Sequence, residues 1–355
     1  MAVLGTGALT YADWAKRVDD ENGQMKIARI VEILSQSNEI LLDMLAIQGN
    51  LVTGHKTTIR TGLPTATWRL LNYGIVPTKS TTAQIVDTCG NLEAESQLDV
   101  DVAKLNGDSA EFRLSESRAF LEGMNQQMAS TLIYGSTAVN PERFTGLAPR
   151  YNTVTTTSAL TAYNVIDAQG VGADNTSIWV VTWGADTTTC IFPKGSNAGL
   201  QHTDMGKQRV QDVTQTFATG AYFWAWVDHF KWELGMCVRD WRYNVRICNI
   251  DVSDLSTVNA ANIINALIRA FNRLPTTSPM QTTTQTSDAP SIQGAMGRTV
   301  IYCNRTVKTF LHLQAVNKTN VLLQIEQFAG RPVTTFLGIP IRTVDAITNA
   351  EARVT

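Results

Sequence analysis

The residues of this chain whose types could carry a reaction are four histidines, five cysteines and a few closely spaced carboxylates. None of His55, His202, His229 and His312 has a second histidine or a cysteine at metal-ligand spacing. His229 follows Asp228 on the polar parity of an alternating apolar run. One reading is a general base held by its neighbouring carboxylate; the other is a solvated or hydrogen-bonded strand histidine. Cys89, Cys190, Cys237, Cys248 and Cys303 form no CxxC and are odd in number, which fits reduced thiols better than a disulfide framework. Glu93 with Glu95, and Asp99 with Asp101, stand two apart and would share a strand face. Such pairs suit a hard cation or an acidic edge that meets a basic partner. Lys194 lies near Gly184 and Gly195, but GxxxxGK is absent, as are a nucleophile elbow and a dinucleotide fingerprint. No catalytic residue, metal or cofactor is expected, and a hydrolase using His229 and Asp228 is the enzymatic alternative.

Composition narrows the class. Charged residues make up 17% of the 355 positions, against about 25% in soluble domains. Either Thr, Ser, Asn and Gln cover the surface, or much of it is buried against other copies. The net charge of −2 gives no basic field to recruit nucleic acid. The N-terminal residues lack a signal-peptide pattern, and no apolar run approaches the ~18 residues of a membrane span. A soluble, intracellularly made product is expected.

The elements that would position such residues are unusual between His55 and Leu105. This stretch is Thr-rich and half polar, and Ile59, Leu63, Trp68, Leu70, Ile75, Ile85, Val86 and Leu92 keep no helical period. Gly62-Leu63-Pro64, Tyr73-Gly74 and Pro77 interrupt it, so it reads as long strands folded back on each other. A two-stranded arm is marginal alone in water, so a partner surface must order it. Its cations Lys56, Arg60, Arg69 and Lys79 are either solvated gatekeepers against edge aggregation, or halves of intersubunit ion pairs with the acidic edge at Glu93 and Glu95. Trp68 is the interface candidate, because aromatics anchor interfaces; burial in its own sheet is the alternative.

Before the arm, residues 1–24 read as loose chain and Met25–Gln48 as a helix with apolar Ile27, Ile30, Val31, Leu34, Leu41, Leu42 and Leu45. After it, Gly107-Asp108-Ser109 marks a boundary with an N-cap. Phe112, Ala119, Phe120, Met124, Met128 and Leu132 then predict a helix over 109–134, about 39 Å long, with an Arg118–Glu122 pair on its polar face. Strands follow at 178–183 and 189–192. Phe230, Trp232, Leu234, Met236 and Val238 alternate with polar residues, then Trp241, Tyr243, Val245 and Ile247 do so on the opposite parity. Two half-buried strands offset at Arg239-Asp240 by a bulge or turn account for that. Helix 258–274, a low-complexity loop at 276–287, strand 299–302, helix 306–316 and strand 336–344 complete a compact α+β unit.

In this order the segments TTIRTGLPTATWRLLNYGIVPTKSTT, AEFRLSESRAFLEGMNQQMASTLIYGS, FTGLAPRY, CIFPKGSNAGL, HFKWELGMCVRDWRYNVRICNID and FLGIPIRTVDAI resemble the major capsid proteins of tailed bacteriophages with the HK97-like fold. The closest resemblance is to the short-tailed-phage family often called gp7. It implies an α+β fold with an N-arm and helix (1–54), an extended β-hairpin E-loop (55–106), a P-domain with spine helix 109–134 and sheet (107–250), and an A-domain (251–355). In better-known members the A-domain core precedes the P-domain strands in sequence, whereas here it follows them.

The resemblance implies a structural protein that self-assembles as hexamers and pentamers into the icosahedral shell enclosing the phage double-stranded DNA genome. It would be a virion component, assembled in the bacterial host cytoplasm, in non-specific contact with that DNA. The short N-terminus implies a separate scaffolding protein; a portal and decoration proteins are the further partners, and no membrane is involved. Some members crosslink a Lys to an Asn between subunits. Lys79 lies on the right kind of loop, but no partner is identified and no crosslink is predicted. An encapsulin-like compartment shell is the alternative on the same fold.

Overall fold

The computed structural model describes residues 18–21, 24–27, 35–104, 109–157, 159–211, 222–256, 261–275, 298–316, 323–328 and 331–355. These fall into two compact units. One comprises residues 38–90, 129–198 and 234–355; the other comprises residues up to 37, 91–128 and 199–233.

The larger unit is built on a strand with no solvent face. β7 (Asn175–Trp183) is buried at all nine positions. It pairs antiparallel with β11 (Asn244–Asp251) on one side and β12 (Arg298–Cys303) on the other. Beyond them, β6 (Val165–Asp167) runs parallel to β11, and β15 (Ile339–Thr343) runs parallel to β12 and antiparallel to β14 (Arg331–Phe336). Because side chains alternate along a strand, the register sorts these residues into two unlike faces.

The first face is apolar. Ile178 and Val180 sit with Val245, Ile247, Ile301 and Cys303 beneath two helices, Ile263–Arg273 and Arg305–Val316, which contribute Ile263, Leu267, Val307 and Leu311. Asn262 caps the first of these helices by accepting from Asn265 N.

The opposite face is polar. Arg246 lies over the Trp179 ring at 5.0 Å and pairs with Glu351 at 2.8 Å, both side chains 5% exposed. Tyr134 and Ser177 also donate to Glu351, and Arg246 reaches Tyr151 O. Farther along, Trp183 Nε1 donates to Tyr302 Oη, which donates to the buried Asp43. Arg298 and Arg342 then meet Asp43 at 3.1 and 2.9 Å. The C-terminal residues are part of this layer. Asn249, in the left-handed region at φ 56°, clamps both the N–H and the carbonyl of Val354 with its amide.

The smaller unit is held by the hairpin of β9 (Leu200–Gln211) and β10 (Tyr222–Val238) over residues 222–232. Met205 is one residue too many on β9, and the register shifts there between Val227 and Asp228. Gly206 takes φ 71° at that bulge, a conformation glycine adopts without strain. Arg113 grips Asp228 through two bonds (2.7 and 3.2 Å), meets Asp204 at 2.9 Å and lies over Trp226. Phe230 stacks between Phe120 and His202.

The helix predicted over 109–134 is Ser109–Tyr134, with Phe112, Met124, Met128, Leu132 and Ile133 buried. Its predicted Arg118–Glu122 pair is absent among the described residues; Glu122 accepts instead from Gln36 N and Gln126. The helix expected over Met25–Gln48 is overturned where the chain is described. Gln24–Ile27 is a strand paired with Val18–Glu21, only Ile40–Asp43 is helical, and β3 (Ala46–Gln48) runs parallel to β8 (Thr188–Phe192). Met44 turns extended so that Leu45–Gln48 can pair with that strand, and tertiary pairing overrides the helical period.

The parity switch at Arg239-Asp240 is a turn, with Asp240 capping a 3₁₀ segment at Trp241–Tyr243. The two strands flanking it are not partners, and β11 is buried throughout, not half-buried. Strands at 165–167, 200–211, 323–328 and 331–336 were not anticipated. Within residues 1–24, expected to be loose chain, Val18–Glu21 is instead a strand, while residues 1–17, the loop at 276–287 and the Gly107-Asp108 part of the boundary lie outside the described residues. Among the described residues no helix is long and apolar enough to cross a membrane.

Two outcomes follow from this packing. Glu351→Ala strands the Arg246 charge inside the unit and should lower unfolding stability by about 3–5 kcal/mol, read as a reduced urea midpoint; Glu351→Gln should cost less. The cysteines are free, and only Cys89 is more than marginally accessible. Burial pushes the Cys237, Cys248 and Cys303 thiols up to about 12 and raises Cys190 further. Iodoacetamide on the native protein at pH 8 should therefore modify Cys89 alone, as read by peptide mass spectrometry.

Candidate assembly interface

The arm is a hairpin whose burial fades from base to tip. β4 (Gly54–Gly62) pairs antiparallel with the first part of β5 (Thr81–Asp99), from Gly54↔Thr88 to Gly62↔Thr81. At the base, Asp87 is buried and accepts from Arg150 at 2.7 Å, and Arg150 also donates to Thr145 O and Met236 O. His55 accepts from Asn50 N and lies 3.1 Å from Arg239. Burial first, then the Arg239 guanidinium, holds His55 below its ordinary value, so it remains neutral near pH 7. Gly54, His55 and Thr57 are buried, while Lys56, Thr58 and Arg60 alternate outward.

From Leu63 to Ser80 every residue is exposed. The span carries no strand or helix; one turn forms where Tyr73 N donates to Leu70 O. Trp68 is fully exposed and does not bury in its own sheet. Leu63, Leu70, Leu71, Tyr73, Ile75 and Val76 are bare as well, each at least 65% exposed. Sequence reasoning chose Trp68 alone from this set. The density of large apolar residues between Gly62 and Pro77 was the available signal for the rest, since folded monomers rarely expose such a run.

Lys56, Arg60, Arg69 and Lys79 all project to solvent. Among the described residues none of the four joins an ion pair within the chain. Glu93 lies in the smaller unit, where it accepts from Asn91 at 2.6 Å and faces His229 at 3.4 Å and Lys231 at 4.0 Å. The Asn91 hydrogen bond is the largest cause of its lowered pKa. Glu95 is exposed and accepts from Gln97.

Asp99 and Asp101 do not share a strand face. The chain turns into the short helix Val100–Lys104, where Asp99 accepts from Asp101 N and Asp101 pairs with Lys104. Among the described residues no group of three or more His, Cys, Asp or Glu is placed to hold a metal. Asp228 and His229 are not a working pair either. As neighbours on one strand they face opposite ways, Asp228 toward Arg113 and His202, and His229 toward Glu93.

The family model described as Major capsid protein GP7 matches residues 20–355. A chain of the near-atomic cryo-EM structure of bacteriophage Epsilon15 is 36% identical with a TM-score of 0.75, covering 100% of this chain and 99% of that one. The capsid of bacteriophage JBD30 gives 9% identity over 89% of this chain and 93% of that one, with a TM-score of 0.45. The capsid of a native GTA particle gives 8% identity over 63% and 93%, with a TM-score of 0.42. No curated protein matches the chain. The family match decides against both alternatives drawn from the sequence, the hydrolase and the encapsulin-like shell. A solvent-bare apolar arm on a rigid mixed sheet, together with a full-length match to one family, makes this chain a member of the GP7 family of major capsid proteins, structural proteins with the HK97-like fold that form the icosahedral shell of tailed phages.

Proposed function

We propose that the arm is the E-loop through which each subunit grips the next in hexamers and pentamers. The observation that carries this reading is the unbroken exposure of residues 63–80, with seven large apolar side chains bare in the isolated chain. Such a surface is costly in water and becomes favourable when a second copy covers it. Trp68 is the anchor of that contact. Lys56, Arg60, Arg69 and Lys79, unpaired among the described residues, meet acidic positions such as Glu93 and Glu95 on the neighbour. Opposite charges around an apolar anchor fix register more than affinity.

In this reading residues 1–54 form the N-arm, 55–106 the E-loop, 107–250 most of the P-domain and 251–355 most of the A-domain. The subunits assemble in the host cytoplasm on a separate scaffolding protein, with a portal and decoration proteins as further partners. The shell encloses double-stranded DNA. A chain of net charge −2 would touch that DNA loosely and without sequence preference.

Trp68→Ala is the direct test. Removing an interface anchor costs on the order of 2 kcal/mol per contact, so shells seen by electron microscopy should become scarce at concentrations that support wild-type assembly. Circular dichroism and melting of the unassembled subunit should not change, because Trp68 is fully exposed in its own fold. Normal shell yield from the variant would show that the contact is led elsewhere.

A further inference from the structure

His55 is held at the root of the arm between two groups that can only donate. Its Nδ1 accepts from Asn50 N at 3.2 Å, and its Nε2 lies 3.1 Å from Nη2 of Arg239. A neutral imidazole offers one acceptor nitrogen, and a protonated one offers none. The neutral ring therefore satisfies one of the two donors, and the protonated ring satisfies neither. Turning the ring over by half a rotation would put carbon atoms in both places.

The surroundings sharpen this conflict. His55 is buried and stands directly across the strand pair from Asp87, whose Oδ1 accepts from Arg150 on the turn Ala148–Arg150 at 2.7 Å. Arg239, just past the end of β10, meets the exposed Asp186 at 3.4 Å, and its Nε is buried without a partner. Cys237 beside Asp87 stays a neutral thiol, and Lys56 faces outward. One further proton would add a third cation to two guanidiniums that share one buried carboxylate. Burial first, and the Arg239 charge second, hold the His55 pKa below its ordinary 6.5, while Asp87 offsets them in part.

The same ring ties the arm to the body of the larger unit. Asn50 precedes β4 and brackets it, its Nδ2 donating to Lys56 O at 2.8 Å and its Oδ1 accepting from Lys56 N at 2.7 Å. Arg239 is fixed through its own backbone, its N donating to Thr187 O at 2.8 Å. His55 thus joins the first residues of the arm to the anchored end of β10.

We propose that the root of the arm is a proton-sensitive hinge, in which protonation of His55 drives its ring out from between Asn50 and Arg239 and frees the base of the hairpin from the body. The sign follows because the closed root accepts only the neutral ring. Closure is complete above about pH 6.5 and weakens as the pH falls through the lower value of the buried ring. One proton shifts the opening equilibrium by at most about ten-fold per pH unit. The tip, residues 63–80, takes no part, so the inference holds whether or not it grips a neighbour.

The test is hydrogen exchange of the unassembled, full-length subunit between pH 8 and pH 5, corrected for the pH dependence of intrinsic exchange. Mass spectrometry reads peptides covering residues 50–60 and 84–89. In the wild type these should lose protection about ten-fold or more across that range, while peptides from β7 keep theirs. His55→Gln, which keeps an acceptor but cannot take up a proton, should stay protected at pH 5. Arg239→Gln, whose amide can turn its oxygen toward a protonated ring, should stay protected as well. The two residues are changed separately, so that misfolding of one variant leaves the other to decide. Unchanged protection of the wild type overturns the proposal, and so does acid loosening that persists in a folded variant.

Discussion

A strand buried at every one of its nine residues constrains everything around it. β7 cannot present any side to water, so both its faces must be covered, and a polar group on it is costly wherever it lacks a partner. The apolar parity is met by two helices. The other parity carries Ser177, Trp179 and Trp183, and these are met by a hydrogen-bonded layer running from Tyr134 through Glu351 and Arg246 to Tyr302 and Asp43. That second layer recruits chain from far away in sequence. Asp43 and Glu351 lie near opposite ends of the protein, and both close over the same sheet. A buried ion pair adds little net stability over an apolar filling, but losing one partner is severe. Such a layer therefore punishes misplacement of either end.

The arm obeys the opposite rule. Its base shares the buried network through Asp87 and Arg150, while its tip has no cover of its own. A rigid root and a bare end suit a contact made by many identical copies. Each junction need only be modest, because a closed shell repeats it and converts later contacts into nearly intramolecular ones.

The legible parts of the fold were those where local pattern and final environment agree. Helix 109–134 was readable because its apolar residues keep one period from Phe112 to Leu132. β7 was readable because it is a short apolar run. Strand 200–211 was invisible, since Leu200-Gln-His-Thr-Asp-Met-Gly-Lys shows no alternation; its order comes from pairing with aromatic β10. The stretch 25–48 failed for the converse reason. Its leucines and isoleucines keep a helical spacing, yet Leu45–Gln48 is drawn into a parallel pairing with Thr188–Phe192 that no local signal announces. In the candidate interface, the strands expected to fold back on each other pair only over Gly54–Gly62 and Thr81–Thr88, since residues 63–80 form no strand, and the pairing of Asp99 with Asp101 could not survive a helix that begins at Val100.

Charge placement carries the same logic one step further. Only 17% of residues are charged, and the cations inside the two units are firmly engaged. Arg113, Arg150, Arg246 and Arg342 each meet at least one carboxylate within their own unit. The four cations of the arm meet none among the described residues. An exposed pair contributes only about 0–1 kcal/mol, so these two lysines and two arginines alone would say little. Here they flank a bare tryptophan and a run of bare aliphatics on a protruding hairpin. Apolar surface without charge would stick to any partner, and charge without apolar surface would bind too weakly. Combined on one arm, they favour a partner with matching shape and opposite charge, which in the function proposed above is another copy of the same chain.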